Sequence, residues 1–232
     1  MEFGKRFVFL VFSIMFAFSL SQNNEVDVFS YLDKIVLKEK KVSTNYVETA
    51  REKYNNQDII ARLFIESINL DVPVLKYSDN DFYLNHDEYK NKNRLGAIFL
   101  DYRNNIDLDR KLLIFGHNSK TIKTEFKKIE NFLSNDFYNE ESNRKLILET
   151  SNKIATYEVT SVFVVDKDFQ HMDLSFTQDE WKNHIEWINS SSMYKDNLLT
   201  DTDEIIIMQT CYYEPSDSYL LVVAKKIEEE YY

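Results

Sequence analysis

The chain has 232 residues, 44% of them hydrophobic and 15% aromatic, which excludes an intrinsically disordered protein and suffices for one domain with a full core. Its formal charge of −11 comes with no basic face, so nucleic acid is excluded as a partner and docking on anionic lipid is disfavoured. A single cysteine rules out an internal disulfide, and the three glycines and two prolines are few enough that each is expected where the backbone requires it.

Residues 1–24 read as an export signal. Lys5 and Arg6 form a basic start, residues 7–20 (FVFLVFSIMFAFSL) are apolar apart from Ser13 and Ser19, and the polar run SQNNEVD follows. The apolar run is shorter than the roughly 17–25 residues of a spanning helix. Ser19 and Ser21 are small enough for cleavage after Ser21. Two outcomes stay open, a cleaved peptide or a retained anchor, and both place the remainder outside the cytoplasm.

Residues 25–58 are predicted helical. Val28, Leu32, Ile35 and Val36 recur at helical spacing, then Tyr46, Val47, Ala50 and Tyr54, and Asn55-Asn56 closes the segment. From residue 59 to 232 the chain reads as one β-rich domain. IIARLFIESI alternates in part, and DVPVLKY is a short strand with Pro73 near its start. SDNDFYLNHDEY is expected to hold a turn and a short helix, and LGAIFLD (95–101) and KLLIFGH (111–117) are apolar strands. Residues 122–141 are expected to be one helix with Ile122, Phe126, Ile129 and Leu133 on a face. RKLILET (144–150) and KIATYEVTSVFVVD (153–166) are strands about a Ser-Asn turn. Residues 176–192 form an amphipathic helix, with Thr177 and Glu180 as a capping box. EIIIMQTC (204–211) and YLLVVAKKI (219–227) pair around YYEPSDS. About eight strands without regular βαβ alternation predict a mostly antiparallel barrel, an α+β fold that is mostly β.

Chemistry concentrates at two strand ends. Cys211 closes an apolar strand, where a thiol can face a cleft on a rigid backbone; His117 follows Gly116 at the end of another. A cysteine nucleophile needs a base or a stabilising cation, and histidine supplies either. By residue type alone the question stays open, because a lone cysteine in a β-rich domain is most often a small core residue.

The segments FYLNHDEYKNKNRLGAIFLDYRN (82–104), KLLIFGHN (111–118) and IIIMQTCYYE (205–214) resemble the sortases, class B in particular. The resemblance covers about residues 59–227 and implies a closed barrel with N-terminal helices and a helix before the last two strands. It also implies an activity: cleavage of a sorting signal after Thr, with a thioester on the Cys, which an amine of peptidoglycan or its precursor then resolves. Class B members often handle signals of the NPxTN kind. On this resemblance Cys211 is the nucleophile and His117 the acid and base. Thr210, Asn118 and Ser218 are expected to bind substrate, no cofactor or metal is implied, and the N-terminus tethers the protein to the membrane.

The sequence departs from the family at one catalytic position. Sortases carry an Arg on the strand after the Cys, whereas the last Arg here is Arg144, and Tyr219, or one register off Ser218, stands at that place. The residue two before Thr210-Cys211 is Met208, a mild change, and Ile207 replaces a Thr. A phenol donates one hydrogen bond but carries no fixed charge. Three consequences stay open: Tyr219 substitutes in part, another cation such as Lys225 or Arg103 folds into the site, or the fold binds sorting-signal or pilus-like peptides without cutting them. His86, His171 and His184 lack metal-ligand spacing and read as surface residues; Trp181 and Trp187 read as core and rim.

Overall fold

The computed structural model describes residues 45–166, 170–214 and 217–232, so the expected export signal and the helix expected over residues 25–44 lie outside the described residues. Helix α1 (Tyr46–Tyr54) starts where the Asn45 side chain accepts from the Val47 N–H and ends at Asn55 in the left-handed conformation that asparagine tolerates. It buries Val47 and Ala50.

Eight strands close into a barrel: β1 (Ile59–Ile65), β2 (Leu70–Leu75), β3 (Phe99–Leu100), β4 (Lys111–Phe115), β5 (Lys145–Thr150), β6 (Lys153–Asp166), β7 (Ile205–Tyr212) and β8 (Ser218–Tyr231). Their order around the barrel is β1-β2-β3-β4-β7-β8-β6-β5. Two neighbouring pairs, β2 with β3 and β4 with β7, are parallel; the other described pairs are antiparallel. The mostly antiparallel barrel read from the sequence is what forms. Its interior draws on every strand, with Leu63, Val72, Leu100, Ile114, Leu148, Val159, Met208 and Val222 among its buried residues.

A second apolar layer lies on the outer side. Leu113 of β4, Ile205 and Ile207 of β7 and Leu221 and Val223 of β8 pack with Trp181, Ile185 and Ile188 of α3 (Gln178–Ser191). β7 is therefore buried on both faces over Ile205–Met208, and its sequence is a continuous apolar run rather than an alternating one. The capping box of α3 forms as read, with Thr177 and Glu180 exchanging side-chain and backbone bonds.

Three expectations fail locally. No helix forms at residues 78–89; turns and an isolated bridge between His86 and Lys92 take its place, built on Asp79, Asp87 and Asn93 side chains that accept backbone N–H groups. The strand expected over 95–101 shrinks to Phe99–Leu100. Residues 122–141 are not one α-helix. A 3₁₀ run, Phe126–Leu133, buries Phe126, Ile129 and Phe132 at a spacing of three, and a short α2 (Asn135–Asn139) follows. The period of three places Phe132, not Leu133, in the core.

Candidate active site

Strand register builds the site. The parallel pairing of β4 and β7 runs from Lys111↔Ile205 to Phe115↔Gln209. The Thr210 hydroxyl donates to the Gly116 carbonyl at 2.8 Å across the same separation of 94 positions. One residue further, that offset sets His117 level with Cys211. On the other side β7 and β8 pair Cys211 with Tyr219. Directly opposite residues of an antiparallel pair share a face, with Cβ atoms about 4.5–5.5 Å apart. Continued past the end of β4, this register puts His117 on the same face as Cys211 of β7 and Tyr219 of β8, the outer face that α3 covers further along. Where the cover stops, a cleft of about 480 Å³ opens, and all three residues line it.

The exit loop of β4 is fastened to the end of β7. Besides the Thr210 bond, the Asn118 amide donates to the Cys211 carbonyl at 3.0 Å and to the Glu130 carboxylate. The Tyr213 hydroxyl donates to the Asn118 carbonyl at 2.9 Å. Burial, then the neighbouring Cys211 and Glu130, raise the Tyr213 pKa, which keeps that phenol a neutral donor. Two glycines let His117 sit as it does. Gly96 has φ +60, and a Cβ there would collide with the Tyr83 carbonyl and come within 3.0 Å of the His117 ring. A Cβ on Gly116 would lie 2.6 Å from the Phe126 ring.

His117 Nε2 lies 2.8 Å from the Leu84 carbonyl. A carbonyl only accepts, so Nε2 carries its hydrogen and Nδ1 is the nitrogen left for proton exchange. Cys211 is half-buried, and its thiol lines the same cleft. The arrangement can generate a nucleophilic sulfur and deliver a proton beside it.

The other residues singled out in the sequence fall in different places. Thr210 lines the cleft but is 2% exposed, its hydroxyl engaged with Gly116, and Asn118 is 4% exposed; both hold the His117 loop to the Cys211 strand. Ser218 is 1% exposed, its hydroxyl donates to the Tyr212 carbonyl, and it is not among the residues lining the cleft. Neither alternative cation enters. Lys225 pairs with Ile205 at the far end of β7 and donates to Asn197. Arg103 donates to both Asp101 oxygens and to the Met172 carbonyl. Among the described residues, no Lys or Arg lines the cleft.

Two histidines expected at the surface are buried: His171 is 0% and His184 4% exposed. His171 Nε2 lies 2.6 Å from the Gln209 Oε1, and its ring centre is 6.0 Å from that of Tyr219. Gln209 lines the cleft beside Cys211, with Met172, Asn80 and Leu84. Sequence reasoning passed over these residues. Only Gln209 left a signal, two positions before Cys211 on one strand and hence on its face.

Residues 63–227 match the family profile described as the sortase domain. The chain is 30% identical to sortase B of Listeria monocytogenes over 67% of its own length and 63% of that protein's. It is 29% identical to sortase B of Staphylococcus aureus, over 75% of this chain and 72% of that one. The crystal structure of Clostridium perfringens sortase B superposes with a TM-score of 0.71 at 28% identity, covering 78% of this chain and 99% of that one.

Proposed function

The chain belongs to the sortase family, and on that premise we propose that it is a class B-like cysteine transpeptidase acting on secreted proteins at the outer face of a membrane. The observation that carries this reading is the one face shared by His117, Cys211 and Tyr219 over an open cleft, which family membership alone does not guarantee.

The Cys211 thiol gives its proton to His117 Nδ1, and the thiolate attacks the carbonyl carbon of the Thr in a sorting signal. The tetrahedral intermediate collapses as the peptide C–N bond breaks, and the proton on His117 Nδ1 passes to the leaving amine. A thioester remains on Cys211. An amine of the cell wall or its precursor then attacks the same carbon, His117 Nδ1 takes the proton released, and the C–S bond breaks to restore the Cys211 thiolate beside the protonated imidazole. Leu84 holds the imidazole by Nε2, so the ring exchanges protons through one nitrogen. Tyr219, opposite Cys211, stands where sortases carry Arg and offers one neutral donor to the developing oxyanion. No cofactor enters this scheme. The basic and apolar start of the chain, residues 1–24, supports export and a tether at the membrane.

The test is mass spectrometry of the full chain mixed with an NPxTN-type peptide, with and without triglycine. The reading expects an acyl adduct on Cys211, its discharge by triglycine into a ligated product, and neither in Cys211→Ala. Peptide retained without an adduct overturns the reading and identifies a peptide-binding module.

A further inference from the structure

Lys111 opens β4 and is 2% exposed, an unusual place for an ammonium group. Its Nζ donates to the His171 carbonyl at 2.9 Å and the Asp173 carbonyl at 2.7 Å, and lies 2.9 Å from His184 Nε2 on α3. An ammonium has three N–H groups and no acceptor, so all three are matched and His184 Nε2 is the acceptor. Between those two carbonyls lies the Met172 carbonyl, which accepts from Arg103 Nη2 at 2.9 Å. Three consecutive carbonyls of one segment are thus bound by two cationic side chains from the β3–β4 region.

That segment, the 3₁₀ turn Gln170–Met172 and Asp173, is a wall of the cleft. Met172 lines it directly, and His171 carries Gln209 on its ring nitrogen and packs beside Tyr219. Arg103 reaches a second lining residue as well: it binds the fully buried Asp101, which in turn accepts from the Asn80 amide, and Asn80 lines the cleft.

We propose that Lys111 and Arg103 are positioning residues that clamp the Gln170–Asp173 segment, so that the wall formed by Met172, Gln209 and Tyr219 is preset for an extended peptide before it binds. The clamp explains where the chain's cations near the site have gone. They hold main chain behind the wall instead of contacting the substrate. Burial pushes the Lys111 amine down to about 7 and, with the Lys111 charge, pushes His184 down to about 3. A group so costly to bury is retained only where every donor is met. The kinetic consequence rests on the transpeptidase reading; the clamp itself does not.

Hydrogen–deuterium exchange and steady-state kinetics of Lys111→Leu, Arg103→Leu and Arg103→Lys test it. The clamp expects backbone amides of residues 170–174 to exchange about tenfold faster in both leucine variants, with β7 and β8 protection unchanged. It expects KM for the peptide to rise about tenfold with kcat within about twofold. Arg103→Lys, which can still donate to the Met172 carbonyl, recovers most of the wild-type value. Arg103 is 40% exposed at its side chain, so its variants carry the test if Lys111→Leu does not fold. Unchanged exchange at 170–174, or protection lost across the whole barrel, overturns the clamp. A wild-type chain that forms no Cys211 adduct sinks the transpeptidase reading and leaves exchange to decide the clamp.

Discussion

The two ends of β4 each present a nitrogen base, and they have opposite fates. At the start, Lys111 is sealed under Phe176 and α3 with all three of its N–H groups matched. At the exit, His117 lines an open cleft with Nε2 bonded to Leu84 and Nδ1 left for exchange. Proton transfer needs a nitrogen whose hydrogen-bonding capacity is not fully taken up and which a substrate can reach. Lys111 satisfies neither condition, so its N–H groups serve architecture; His117 satisfies both.

The sharpest way to break the contrast is His117→Ala, expected to lower peptide cleavage by roughly 10²–10⁴-fold in a fluorogenic assay while the melting temperature stays close to wild type. An unchanged rate would move the acid–base role elsewhere. Next is Tyr219→Phe, which removes the donor opposite Cys211 and is expected to cost on the order of 10²-fold in kcat. Tyr219→Arg should exceed wild type if a cation at that register reaches the oxyanion. A rate at or below wild type would show that the position is not equivalent to the family's Arg. Gly116→Ala drives a methyl into the Phe126 ring and is expected to cost about 1–3 kcal/mol in urea melts. It should slow catalysis too, since the His117 loop must move.

The smallest effect concerns the Lys111 end. Its pKa is lowered from 10.5 to about 7, and that of His184 from 6.5 to about 3. Between its folded and unfolded values, each group holds a proton only in the unfolded chain, so stability rises with pH through both windows. From about pH 7 to pH 9 this amounts to about 2 kcal/mol for Lys111, or a few degrees in melting temperature. The rise should vanish in Lys111→Leu. The same pH dependence in wild type and Lys111→Leu would show that the Lys111 pKa does not change on folding.

Much of the framework was legible along the chain, because local patterns report local geometry. The alternation of β1, the Thr177–Glu180 capping box of α3 and the turn between β5 and β6 each arise from interactions between near neighbours. Where local signals compete, reading failed. Residues 122–141 carry apolar residues at spacings of three and four, and only packing of Phe126, Ile129 and Phe132 into the barrel selected the period of three. In residues 78–89, the Asp79 and Asp87 side chains took backbone N–H groups that a helix would have used.

The sequence by itself determined which residues are proposed to carry the chemistry: the Gly-His-Asn turn, the Thr-Cys strand end and the lack of an Arg after Arg144 are all matters of residue identity. Tertiary structure decided the rest. The level placement of His117 and Cys211 depends on a parallel pairing between strands far apart in the chain, which no local pattern encodes. The burial of His171, His184 and Lys111 depends on α3 and its lead-in closing over β4, since a polar side chain reads as surface until three-dimensional packing supplies its partners.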